Sequence, residues 1–121
     1  MRFNTALLHS AKLGDENTGA TLTPIYQSSA FYQPSAEQHE KLFHNKATGY
    51  SYTRINNPTI VAFEERMTNL EKGVGSVACS SGMAALTNAL LNIVGTGGEI
   101  VSSTGLYGGT IDLFHDLEAF G

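Results

Sequence analysis

The chain has 121 residues and a mass of 12.9 kDa, which is room for one compact domain and too little for two. Apolar residues make up 41% of it, too many for intrinsic disorder, yet no run approaches the roughly 20 apolar residues that span a bilayer. Seven Lys and Arg against eleven Asp and Glu give a net charge of −4, without the basic patch that nucleic acid or an anionic membrane requires.

Residues 1–57 read as irregular and polar, with Tyr, Ser, Asn and Gln and no sustained period. The start, Met1 to His9, is interrupted too early to hold a signal-peptide apolar core, and the single Cys79 fits a reducing compartment, so a cytoplasmic location is expected. Ser35 and Gln38 have capping-box spacing and predict a short helix from Glu37 to His44. Asn57 then caps a longer one: Pro58 sits where a missing N–H costs nothing, and Ile60, Phe63, Met67 and Leu70 recur at helical spacing. Lys72-Gly73 ends it.

Ser76 to Ser80 reads as a strand of small side chains and Glu99 to Ser103 as a second. Between them Met83 to Val94 is apolar on nearly every side and predicts a buried helix ended by Gly95. Gly108-Gly109 open a last helix carrying Ile111, Phe114 and Leu117. Strand, helix, strand, helix is a βαβ unit of a parallel sheet, hence an α/β fold. Two parallel strands do not make a domain, so the sequence reads as the first part of something larger. The charged share of 15% against roughly 25% in an ordinary domain agrees, since such a surface expects cover from more protein.

Three places could carry chemistry. Ser80-Ser81-Gly82-Met83 is a turn from strand into helix, where free N–H groups and the helix dipole favour an anion and Gly lets a phosphate approach; a tight turn with nothing bound is the competing reading. Tyr50 to Thr59 sets Arg54, one of three Arg, in an uncharged aromatic segment. Its guanidinium could clamp a phosphate or carboxylate with Tyr52 as a further donor, or simply satisfy loop carbonyls. Leu106 to Thr110 follows the second strand, and Tyr107 there could stack on a planar ring or cap the core. The glycines at 73–78 and 95–98 lie at the wrong ends of their elements for a nucleotide loop. The four His show no metal spacing, and Cys79 in its strand reads as a small apolar residue.

Taken in order, Thr23 to Ser29, Tyr52-Thr53-Arg54 with Asn57-Pro58-Thr59, Ser81 to Ala85, and Leu106 to Thr110 resemble the Cys/Met-metabolism, or trans-sulfuration, enzymes that use pyridoxal 5'-phosphate. The resemblance runs from about His9 to Gly121. Within the family, Leu42-Phe43 and the stretch from Asn92 to Thr110 are most similar to O-acetylhomoserine sulfhydrylases. It implies the N-terminal part of a fold-type-I transferase: residues 1–57 as an extended arm making intersubunit contacts, and 58–121 as the first part of the cofactor domain. It also implies that the amides of Gly82 and Met83, in the Ser81-Gly82-Met83 turn, hold the cofactor phosphate. Tyr107 would stack on the pyridine ring and shuttle protons. Tyr52 and Arg54 would reach across a homodimer or homotetramer interface to the neighbouring subunit's phosphate.

The implied reaction, in methionine biosynthesis, is γ-replacement of acetate by sulfide or a thiol on an amino-acid substrate. Cystathionine γ-synthase and methionine or cystathionine γ-lyase are the alternatives within the family, and a truncated, non-catalytic dimerising or phosphate-binding module is the one outside it. One departure matters. The family's chemistry needs a Schiff-base Lys and an acidic partner for the ring nitrogen. The four Lys here, Lys12, Lys41, Lys46 and Lys72, do not lie in the setting the family uses. The resemblance therefore implies that these 121 residues alone are inactive.

Overall fold

A computed structural model describes residues 2–11 and 14–120. Its five helices among those residues are α1 (Phe3–His9), α2 (Ala36–Phe43), α3 (Pro58–Glu71), α4 (Gly82–Ile93) and α5 (Gly108–Glu118). They fall into two compact units, Met1–Val77 and Ala78–Gly121.

In the first unit the caps act as the sequence predicts. Ser35 accepts from the Gln38 N–H at 3.2 Å to start α2, and Asn57 accepts from the Thr59 N–H at 2.8 Å to start α3 behind Pro58. Glu37, in the first turn of α2, is held below the usual carboxylate range by its own backbone N–H and then by Ser35. Lys72-Gly73 ends α3 as expected: Lys72 is left-handed (φ 55°) and the Gly73 N–H returns to the Thr68 carbonyl at 2.9 Å. Helix α1 lies in a stretch expected to be irregular. It is 7 residues long and has no side-chain cap; packing on α3, with Asn69 Nδ2 donating to the Ser10 carbonyl, supplies what its sequence lacks.

The arm between α1 and α3 is held by turns and short pairings. Asp15 and Ala20 form an antiparallel bridge. It closes a turn in which Gly14 has φ +86° and a Cβ would stand 2.3 Å from the Ala20 oxygen, so only Gly fits. Asp15 accepts from the Asn17 N–H at 3.0 Å and the Thr18 hydroxyl at 3.0 Å, and these bonds lower its pKa in that order. A second bridge joins Ala30 to Tyr52, flanked by Phe31 N–H to Ser51 O at 3.0 Å and Thr53 N–H to Ser29 O at 2.9 Å.

In the second unit Ser81 caps α4, accepting from the Ala84 N–H at 3.1 Å, and α4 packs on α5. Two expectations need correction here. Among the described residues there is no strand, only the two isolated bridges. The segments 76–80 and 99–103 form no ladder with each other, and Val77 and Val101 are 84% and 97% exposed. A parallel strand needs partners on its edges and cover on both faces, and these segments have neither. Nor is α4 buried: Leu91 and Ile93 are exposed, and no apolar side chain among the described residues is fully buried in either unit. A helix apolar all round needs cover on every face, and α5 covers one.

Candidate cofactor-binding site

The stretch Tyr52 to Ile55 is a tight turn, with the N–H groups of Ile55 and Asn56 both returning to the Tyr52 carbonyl at 2.9 and 3.1 Å. It brings Tyr52 and Arg54 together: the Arg54 guanidinium carbon stands 5.4 Å from the centroid of the Tyr52 ring, within cation–π range. Both side chains are exposed. Among the described residues Arg54 donates to no carbonyl and pairs with no carboxylate, so the loop-satisfying role is not what it does. A guanidinium resting on an aromatic face with its fork open is poised for an oxyanion.

In the second unit the first turn of α4 presents Gly82 and Met83. Ser81 uses its hydroxyl on the Ala84 N–H, and the Ala85 N–H bonds the Ser81 carbonyl at 3.0 Å, so the helix's own needs are met from its third position on. The N–H groups of Gly82 and Met83 have no partner among the described residues, as first-turn donors do. No acidic residue lies in that turn. A Cβ built on Gly82 would meet nothing within 4 Å, so the space above its backbone is open to a ligand. Tyr107 is the N-cap residue of α5, gives no side-chain cap and is 74% exposed. Its ring folds over Gly109, where a Cβ would lie 2.7 Å from Cε1, so a side chain at 109 would push the ring away.

Each group by itself suits an oxyanion such as the phosphate of pyridoxal 5'-phosphate: in the second unit, free amides and an open glycine at a helix start with no acidic residue in the first turn, and in the first, a guanidinium stacked on an aromatic ring. Lys41 stands in the last turn of α2 and Lys72 at the left-handed end of α3, while Lys46 is exposed in the turn after α2; Lys12 lies outside the described residues. Among the described residues no Lys stands in either group. A separate cavity of about 470 Å³ in the first unit, lined by Asp15, Glu16, Tyr26, Tyr50 and Glu65, is a poor place for an anion. There burial, then Glu65 and then Tyr26, raises the pKa of Tyr50. Sequence reasoning missed the role of Thr53 and Thr59, which with Asn57 fix the chain around Arg54. The Asn57-Pro58-Thr59 cap was the available signal.

The chain superposes over its full length on 30% of a provisionally assigned O-acetylhomoserine (thiol)-lyase from Campylobacter jejuni, with a TM-score of 0.89 and 33% identity. In that protein a pyridoxyl 5'-monophosphate is joined to a lysine. The likeness defines the class: this is the fold of fold-type-I pyridoxal-phosphate enzymes. Among curated relatives, the O-acetyl-L-homoserine sulfhydrylase of Corynebacterium glutamicum is 48% identical over 112 residues, which are 93% of this chain and 26% of that protein. The cystathionine gamma-lyase of Bacillus subtilis is 44% identical over 110 residues, 91% of this chain and 27% of that protein. The chain thus spans about a quarter of the length of these relatives. It belongs to the Cys/Met metabolism PLP-dependent enzyme family, whose sequence profile matches residues 4–119. Pyridoxal 5'-phosphate (PLP) is that family's cofactor. No helix among the described residues is long and apolar enough to cross a membrane.

Proposed function

We propose that this chain supplies the phosphate-holding part of a PLP-dependent sulfur amino-acid enzyme, an O-acetylhomoserine sulfhydrylase acting in methionine biosynthesis. The observation that carries the reading is the open first turn of α4, with unpaired amides on Gly82 and Met83 beyond the Ser81 cap. Gly82 and Met83 bind the phosphate through their N–H groups, at the positive end of the helix dipole. Arg54, oriented by the Tyr52 ring, clasps the same phosphate in a second copy of the protein, and Tyr52 adds its hydroxyl. Tyr107 lies against the cofactor ring and moves a proton at its phenolic oxygen. The bound cofactor supplies an electron sink for carbanion chemistry on the amino-acid substrate.

The arm, residues 1–57, makes the contacts between copies in a homodimer or homotetramer, and residues from 58 begin the cofactor domain. The exposed Leu22, Ile25 and Tyr32 of the arm support this, because such side chains gain by burial against a partner. With no anchoring Lys in either site group among the described residues, the 121 residues alone turn over no substrate. The single Cys79 supports a cytoplasmic location.

The 44% identity to a cystathionine gamma-lyase favours γ-elimination as the second reading. Supplying the holoenzyme with O-acetylhomoserine and sulfide, and separately with methionine or cystathionine, separates the two. Homocysteine and acetate from the first mixture, without 2-oxobutanoate and ammonia from the second, is the expected result. Fast release of 2-oxobutanoate and ammonia with no homocysteine would make it a lyase.

A further inference from the structure

Asn57 is the one polar residue buried as a whole among the described residues, 3% exposed. Its Nδ2 donates to the Tyr26 carbonyl at 2.9 Å and to Thr53 Oγ1 at 3.0 Å, while Oδ1 caps α3. Thr53 passes the link on: its hydroxyl donates to the Ser28 carbonyl and its N–H to the Ser29 carbonyl. On the other side Thr59 Oγ1 accepts from the Tyr26 N–H at 2.9 Å and donates to the Pro24 carbonyl at 3.2 Å. Three stretches of chain are tied into one polar clasp, and the turn bearing Tyr52 and Arg54 hangs from its middle.

We propose that Thr53 and Asn57 are positioning residues that touch no ligand and hold the backbone from which Tyr52 and Arg54 project toward an anion. The inference rests on the reading of Tyr52 and Arg54 as phosphate ligands. The physical need is specific. Arg54 is exposed and unpaired, so nothing but its backbone and the Tyr52 ring restricts where its fork points, and a bidentate contact is lost when that backbone swings. A hydroxyl at 53 is required because one oxygen must accept from Asn57 and donate to Ser28 at once. Ser can do both, whereas Val keeps the shape and does neither. Thr53 is itself exposed, so Val there is tolerated.

The test measures the dissociation constant of PLP from the holoenzyme for T53V, T53S, R54A and T53V/R54A. T53V should weaken retention roughly three- to tenfold, the effect of one hydrogen bond, and T53S should restore it to within about twofold. In the R54A background T53V should add less than about twofold, since residues acting through one contact are not additive. Multiplying effects of T53V and R54A, no rescue by T53S, or an unchanged constant for T53V beside a weakened R54A would each overturn the positioning role and leave the phosphate-ligand reading standing. An unchanged constant for R54A would instead remove that reading, and the positioning role with it. Thr53→Ala serves as a second variant with the same expected outcome if Val crowds the turn.

Discussion

Arg54→Ala in the holoenzyme should weaken PLP retention by about 1–3 kcal/mol, or roughly five- to 150-fold in the dissociation constant. The range is that of a charge-assisted hydrogen bond to an oxyanion, and Arg54 is free to make one. Its guanidinium rests 5.4 Å from the Tyr52 ring centre and meets no acceptor among the described residues. Arg54→Lys should recover only part of the loss, because an ammonium keeps the charge but lacks the planar fork. Equilibrium release of the cofactor, followed by its fluorescence, checks both variants. Retention unaffected by Arg54→Ala would make Arg54 a surface residue stacked on Tyr52 and nothing more.

Gly82→Val should have the larger effect on binding and almost none on the fold. A Cβ at 82 meets nothing within 4 Å, and Gly82 is not among the positive-φ glycines, so Val costs the helix less than about 1 kcal/mol. The same methyl groups would fill the space through which a phosphate reaches the Gly82 and Met83 amides. Losing both charge-assisted bonds should cost at least about 3 kcal/mol of cofactor binding. The expected pattern is an apoprotein whose thermal midpoint barely moves and which no longer retains PLP. A folded variant that binds PLP normally would remove the anion site from α4.

The sequence showed α2 to α5 because each start or stop is written locally. Ser35, Asn57-Pro58 and Ser81 mark starts, and Gly95 follows the end of α4. It hid α1, whose 7 residues carry no side-chain cap and depend on α3 for cover. It misled at 76–80 and 99–103, where the composition is that of parallel strands. A ladder belongs to its neighbours as much as to the strand, and these segments do not supply it to each other. The apolar ring of α4 was legible, whereas what covers it was not. At the site, the pairing of Tyr52 with Arg54 follows from two residues' spacing. The Asn57 clasp does not, since its partners are carbonyls and hydroxyls up to 35 residues away whose approach no local pattern encodes.

On the proposed reading, one copy's Gly82 and another copy's Arg54 complete a single phosphate site. Mixing the two defective proteins tests it directly. Each homodimer, Arg54→Ala or Gly82→Val, has two damaged sites. If the groups come from different copies, a heterodimer carrying one change per chain has one site with both defects and one with none, so mixed and reassembled protein should recover tight binding in about half of its heterodimer sites. If both groups come from the same copy, every site in the heterodimer keeps one defect. Mixtures that bind PLP no better than their parents would then contradict the account.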